Sequence, residues 1–387
     1  MKGPLITIIG NGFGGVYTAR RLARRGFSVR MIGSDDCFTF TPLLHETATG
    51  MLCESDVRFP MKSFINSKNF EIIQSKAKRI DFSNKAIQLE NGLELRYDTL
   101  VIATGARPRL DLVKGSEQAL CLKTVIDAQK IRNNIIELLR AGKTHLEVNI
   151  IGGGFTGLEL VCEIDQMLTK AGVSSKVRLF ERDDIPLAAT DPKLSEYIMK
   201  RLRRSEIDFH AHANVEAVHA AAVVSHGQEY YSDMTILAAG VIPNTEMLDP
   251  EYIDERKSIV VTPFLNLEKH PEVFALGDII SIKNHGKPPM LAQLATRQAS
   301  VVADNIVRRT VGRPLRAYTA TVIGLLISLG TWDAVGRIFG MAISGRIAWY
   351  IWRTVYLFKT PGFSNQLRIA ARWTKYLFEP RSFIAKK

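Results

Sequence analysis

An α/β chain of two doubly wound, parallel-sheet domains followed by an amphipathic helical tail is predicted by three observations. The first is a glycine pattern that occurs twice, as Leu5-Ile-Thr-Ile-Ile-Gly10-Asn-Gly12-Phe-Gly14-Gly15 and as Val148-Asn-Ile-Ile-Gly152-Gly-Gly154-Phe-Thr-Gly157. The second is an element repeated about ninety residues after each, Leu100-Val-Ile-Ala103-Thr104-Gly105-Ala-Arg-Pro108 and Ile236-Leu-Ala-Ala-Gly240-Val-Ile-Pro243. The third is a change of composition: residues 301–387 carry fourteen Lys/Arg against Asp304, Asp333 and Glu379, and all four tryptophans.

In each fingerprint an apolar strand runs into G-x-G-x-x-G and then a helical stretch, the context that makes the motif informative. The three glycines serve a tight turn, close approach of backbone to a pyrophosphate, and close helix–strand packing. The helix N-terminus adds N–H groups and a partial positive charge for the phosphates. One such pattern can be a chance glycine-rich turn. Two in the same context, each trailed by the same distal element, define two Rossmann-like dinucleotide-binding domains. Two dinucleotides held by one chain usually exchange electrons.

The elements follow in order. A strand at 5–10, a helix from about Gly14 to Arg25 and a strand at 28–32 open the first domain, and a strand at 99–104 returns to its sheet. Between them, Phe38-Thr-Phe-Thr-Pro-Leu-Leu-His45-Glu46 reads as a loop, and Glu90-Asn91-Gly92 signals the turn of a hairpin at 78–97. The second domain repeats the plan with a helix at 127–141, a strand at 147–152, a helix at 156–170 and a strand at 176–181. His270-Pro-Glu-Val-Phe-Ala-Leu-Gly277-Asp278 then reads as a buried strand rejoining the first sheet. A helix from about Leu291 to Val311 stops at Gly312 and Pro314. The domains are therefore expected at 1–113 and 265–317 for the first, 114–264 for the second and 318–387 for a separate tail module.

Composition excludes some classes. At 387 residues, 46% hydrophobic and 23% charged, the chain is folded and multidomain. The four cysteines, Cys37, Cys53, Cys121 and Cys162, show no C-x-x-C spacing, which speaks against a redox dithiol or a zinc site; no metal is expected. The first strand starts at about Leu5, so no leader is expected, and the longest apolar run, Thr319 to Gly330, is too short to span a bilayer.

The double fingerprint, with Ala103-Thr104-Gly105, Gly240 and Gly277-Asp278, resembles the flavoprotein reductases that bind FAD first and NAD(P)H second. Three segments resemble the type II NADH:quinone oxidoreductases within that superfamily: Phe40-Thr-Pro-Leu-Leu-His45-Glu46-Thr-Ala-Thr-Gly50, Phe155-Thr-Gly-Leu-Glu159 and Leu291-Ala292-Gln293-Leu-Ala295. The tail, especially Ala348 to Leu357, resembles the membrane-docking end of that family. The resemblance implies FAD on Gly10, Gly12, Gly14, Gly15, Ala103, Thr104, Gly105, Gly277, Asp278 and Ala292, and NADH on Gly152, Gly154, Gly157 and Gly240. It implies hydride transfer from NADH to FAD N5 and two electrons onward to a membrane quinone, without proton pumping.

Two departures stand out. An acid usually ends the second strand and takes the ribose hydroxyls; here Ile32 leads into Gly33-Ser34-Asp35, so either Ser34 or Asp35 substitutes or adenosine is held more loosely. Where many relatives place a glutamine after the Ala-Gln stretch, this chain has Arg297, with Gln298 next.

In the second domain Glu181 ends its strand, suited to accept from adenosine 2′- and 3′-hydroxyls and to repel a 2′-phosphate. That favours NADH, with Arg182 beside it acting in the other direction. Glu159 and Glu163 are i, i+4 on one helix face; they order nicotinamide or flavin, relay a proton to quinone, or serve an intrahelical basic partner. Gln293 with Ala292 is placed by resemblance beside the isoalloxazine. Asp278 is implied as acceptor from the ribityl chain, with a helix N-cap as the alternative.

In the tail, Trp349, Tyr350 and Trp352 oppose Arg346 and Arg353, and Arg368, Arg372 and Lys375 oppose Leu367, Ala370 and Leu377. Such helices lie in the membrane interface on anionic lipid; capping the core or a homodimer contact is the alternative. The protein is expected on the cytoplasmic side of the cell membrane, peripheral, and not on nucleic acid. A sulfide:quinone oxidoreductase needs a late cysteine, and none follows Cys162. A non-catalytic FAD- and NADH-binding membrane sensor is the rival from another class.

Overall fold

A computed structural model describes residues 4–187 and 192–381. The chain forms two compact units: Met1–Thr39, Arg58–Arg107 and Val241–Val322 make one, and Phe40–Val57, Pro108–Gly240 and Ile323–Lys387 the other.

Ile6–Ile9 is the central strand of the first unit's sheet. It pairs in parallel with Val29–Gly33 on one side and Thr99–Ile102 on the other, and Phe70–Gln74 and Val273–Ala275 form the edges. Ile6–Ile9, Thr99–Ile102 and Val273–Ala275 are buried throughout, as a parallel sheet covered on both faces requires. The helices Phe13–Arg24 and Ala292–Thr310 pack on one another. They bury Val16, Ala19 and Leu22 of the first and Ala299, Val302 and Ile306 of the second.

The second unit repeats this order. His145–Ile151 is central, flanked by Ser174–Phe180 and then Asp208–His210, and on the other side by Met234–Leu237 and then Leu120–Cys121. The outermost strand precedes the fingerprint in this unit, whereas Val273–Ala275 arrives late in the first. Each unit carries a three-stranded antiparallel meander before its distal strand. The hairpin expected at 78–97 therefore has one more strand: Ala77–Asp81, Ala86–Leu89 and Glu94–Arg96, with Gly92 (φ 83°) in the second turn.

Three expectations are corrected. The segment 38–46 is not a loop: Pro42 opens a helical turn at Thr41–Leu43, and Leu44–Ala48 is a buried helix carrying His45 and Glu46 inward. The tail is not a separate module: residues 318–322 cluster with the first unit, and the described residues from Ile323 on with the second. Its strands Gly324–Ser328, Ala334–Ile338 and Met341–Ser344 form an antiparallel sheet that the helix Gly345–Lys359 covers. Asp333 there accepts from Tyr197 at 2.8 Å and pairs with Arg201 at 3.3 Å.

The third correction concerns the tail helices, Gly345–Lys359 and Phe363–Phe378. Trp349, Trp352 and Trp373 face the protein core, and the Arg353 guanidinium stacks over Trp349 (4.2 Å) and Trp373 (4.6 Å). Arg368 and Arg372 pair with the buried Asp56 at 2.7 and 2.9 Å. Of the expected stripes Tyr350 and Leu367 are exposed, together with Ile347 and Phe358 on one helix and Phe363 and Phe378 on the other. Helical spacing alone cannot say which of two apolar stripes the core takes. Among the described residues no helix is long and apolar enough to cross a membrane.

Candidate active site

Each fingerprint separates glycines that shape the loop from a glycine that leaves space. Gly10 and Gly152 sit at φ 108° and 109°, a region side chains avoid. A Cβ on Gly15 or Gly157 would lie 1.9 Å from the carbonyl oxygen of Gly10 or Gly152. Those positions are needed for the fold itself. Gly12 and Gly154 are different: their φ, ψ values of −81°, −171° and −75°, −175° suit any residue, and a Cβ would meet nothing within 4 Å. The open space lies at the start of a helix with no side-chain cap. By contrast, the helix Val125–Arg140 has a full capping box from Thr124 and Asp127. Uncapped N–H groups facing open space fit a pyrophosphate in both units.

The acids at or just past the end of each second strand are tied back to the glycine loops. Glu181 accepts from the N–H of Gly153 at 2.5 Å and of Asp183 at 3.1 Å. In the first unit Asn11, the equivalent of Gly153, donates to Asp35 Oδ1 at 3.2 Å and to the Cys37 carbonyl at 3.1 Å. Ser34 is exposed, so Asp35 is the counterpart of Glu181. Asn11 was missed in the sequence because the motif treats its position as free.

Two further latches are absent from the motifs. Asn244 donates to the Thr104 carbonyl at 2.9 Å and accepts from Thr104 Oγ1 through its own carbonyl at 2.8 Å, holding the Thr104-Gly105 turn. Gln298, 1% exposed, accepts the Gly277 N–H at 2.7 Å and holds the Gly277-Asp278 turn. Asp278 lies in that turn and not at a helix start, so it is no N-cap. Ala292 and Gln293 occupy the first turn of the Ala292–Thr310 helix, which also lacks a side-chain cap. Ala103 packs beside Gly14, and Gly240 is exposed in the second unit.

Glu159 and Glu163 lie on the helix Phe155–Lys170 in a cluster of buried charge within the second unit. Glu163 is 2% exposed and forms an ion pair with Arg381, which also donates to the Thr49 carbonyl at 2.8 Å. Its partner therefore comes from beyond the last helix and is not intrahelical. Burial is the largest single influence and would raise the Glu163 carboxyl, but the charge and hydrogen bond of Arg381, with help from His45 and Arg353, together hold it below its ordinary range. Glu159 keeps 15% of its side chain exposed and lies 3.4 Å from His45 Nδ1. Burial pushes its carboxyl well above the usual range, against a backbone N–H at Ser328, and the charges of Glu46 and Glu163 add to the rise. Glu46 accepts from Trp373 Nε1 at 2.6 Å, and burial lifts it to about 7. One helix thus presents, one turn apart, a carboxyl held low by its ion pair and a carboxyl pushed up by burial. The Arg381 partner lies 218 residues from Glu163, a pairing that no local pattern announces.

Two nucleotide cradles on one chain, with a buried carboxyl pushed up in the second, define an α/β oxidoreductase with two dinucleotide sites. Comparison with known proteins agrees. Over 96% of this chain and 95% of its own length, a demethylphylloquinone reductase of Synechocystis is 28% identical. A type II NADH:quinone oxidoreductase of Mycobacterium tuberculosis is 24% identical over 95% of this chain and 86% of its length. The structure of NDH2 from Plasmodium falciparum in complex with NADH superposes with a TM-score of 0.89 over 99% of this chain and all of that one, at 18% identity, a likeness of fold. Residues 5–299 match the pyridine nucleotide-disulphide oxidoreductase family, and the chain belongs to it.

Proposed function

We propose that the protein is an FAD-dependent NADH:quinone oxidoreductase that works on a membrane surface without pumping protons. The observation that carries this is the doubled cradle, in which Gly12 and Gly154 each leave open space before an uncapped helix. The first unit suits FAD and the second NADH. Bound FAD supplies a two-electron acceptor between the nicotinamide and the quinone.

Around it the protein's groups divide the work. Gly10, Gly12, Gly14 and Gly15 shape the FAD cradle; Asp35 takes the ribose in place of Ser34, and Asp278 the ribityl chain. Ala103, Thr104 and Gly105 wall the site, while Gly277, Ala292 and Gln293 bring backbone and amide donors to the flavin ring. On the NADH side Gly152, Gly154 and Gly157 hold the pyrophosphate, Gly240 lines the approach and Glu181 prefers a free 2′-hydroxyl. Glu159 holds a proton through neutral pH and gives it to the reduced quinone. Glu163, locked to Arg381, stays charged and supports that proton by repulsion.

The exposed apolar stripes of the tail, beside Arg346 and Lys375, suit the surface of an anionic bilayer. In this proposal the protein sits at the membrane as a peripheral protein on the cytoplasmic face, and the exposed stripes support the peripheral part of it. Purification in detergent with a flavin spectrum, followed by NADH oxidation with and without a soluble quinone, tests the proposal. Flavin-dependent turnover that requires quinone is the expected result. Flavin and NADH binding without turnover would identify a redox sensor instead.

A further inference from the structure

His45 has no part in the scheme so far. It lies in the Leu44–Ala48 helix, 2% exposed, with Nδ1 3.4 Å from Glu159 Oε2. Among the described residues its buried Nε2 has no hydrogen-bond partner, and the ring lies 5.9 Å from that of Trp352. A buried imidazole with one acceptor in reach turns its N–H to that acceptor, because an orphaned N–H is less tolerated than an orphaned lone pair. The neutral ring therefore carries its hydrogen on Nδ1.

Resting on Glu159 as the proton donor to quinone, we infer that His45 is its positioning residue: the Nδ1–H occupies Glu159 Oε2 in both protonation states and confines the transferable proton to Oε1. When Oε1–H leaves for the acceptor, the carboxylate keeps the Nδ1–H as its donor. A proton from water then restores Oε1–H at the exposed part of the side chain.

The surroundings keep the ring neutral. Glu46 shares its helix, Glu159 and Glu163 face it from Phe155–Lys170, and Arg381 approaches from beyond the last helix. Arg353 and Tyr356 belong to the neighbouring Gly345–Lys359 helix. The helix Val125–Arg140, also packed on Leu44–Ala48, carries Asp127, engaged in its own cap, with Lys130 and Arg132. Burial lowers His45 to about 4, Glu163 opposing and Arg381 assisting. Its Nδ1–H is thus a constant donor at neutral pH.

The test uses the flavin-loaded enzyme and four variants. The infrared C=O band of the protonated Glu159 carboxyl is identified by its loss in Glu159→Gln. In His45→Leu this band should move to higher frequency. Quinone kcat should fall about tenfold with KM for NADH unchanged, and the alkaline limb of the pH profile should rise by about one unit, the scale of one charge-assisted hydrogen bond. His45→Asn, whose amide N–H takes the Nδ1 position, should restore band and limb, whereas His45→Gln, which reaches the Nε2 position, should not. Should His45→Leu fail to hold flavin, the Asn and Gln pair decides. An unmoved band, or equal behaviour of Asn and Gln, overturns the inference. If Glu159→Gln keeps full quinone turnover, Glu159 is not the donor, and the band still reports whether His45 holds its carboxyl.

Discussion

At the residue scale the chemistry rests on side chains whose role depends on what surrounds them. Gly12 and Gly154 are free to carry a side chain in the empty fold, so Gly12→Val and Gly154→Val should fold with unchanged melting temperature. The first should lose FAD and the second should lose NADH binding by at least tenfold, measured by flavin content and by NADH titration. Glu181→Gln should narrow the preference for NADH over NADPH, read as the ratio of the two kcat/KM values; wild-type preference for NADPH would assign the pocket to Arg182. Glu163→Gln should cost about 3–5 kcal/mol, since Arg381 is left buried without its counter-charge. Two carboxyls of the cluster act on stability with opposite sign. Glu163, held low by Arg381 against burial, contributes stability that is present above the ordinary value of 4.5 and lost as pH falls through its folded value. Glu46, lifted by burial to about 7, contributes stability that is full below 4.5 and lost as pH rises through 7. Denaturant unfolding between pH 4.5 and 8 should show that decline, and Glu46→Gln, which still accepts from Trp373, should flatten it. The fingerprint glycines and the strand-end acid Glu181 were legible because their chemistry is local. Arg381 and Asn244 were not, and His45 and Gln298 stood out only beside family segments without their partners, since each acts on a residue distant in sequence.

At the scale of elements, periodicity located the helices well and their faces less well. The strands and helices of both sheets lie near where alternation and fingerprints put them, because buried parallel strands and their following helices carry strong local signals. The tail misled for a physical reason. A helix with apolar residues on more than one side offers two candidate faces, and the larger side chains, Trp349, Trp352 and Trp373, went to the core. Aromatics there bury the most area. Trp352→Ala should therefore lower stability by about 3–5 kcal/mol in denaturant unfolding. Phe358→Ser, Phe363→Ser and Phe378→Ser together should leave stability within about 0.5 kcal/mol of wild type and weaken sedimentation with anionic liposomes by at least tenfold. Liposome binding unaffected by the triple variant would move the membrane contact to another surface.

At the scale of the whole molecule, duplication was the readable feature, and it organises the fold into two units whose sheets share the order of four strands and differ in where the outermost strand comes in the chain. What the repeat could not show is that residues Phe40–Val57 and the described tail from Ile323 on belong with the second unit. Removing the tail would therefore strip the cover from Glu46, Glu163 and His45, so it unfolds part of the second unit and does not simply free a soluble enzyme. The central claim is that one chain moves an electron pair from NADH through its flavin to quinone. Anaerobic mixing of the purified, flavin-loaded protein with one equivalent of NADH, then with one equivalent of quinone, measures it in two steps. Bleaching of the flavin absorbance by NADH and its full return on quinone addition, with NADH oxidised and quinone reduced in equal amounts, is the predicted result. A flavin that NADH does not bleach, or that stays bleached with quinone present, would contradict it.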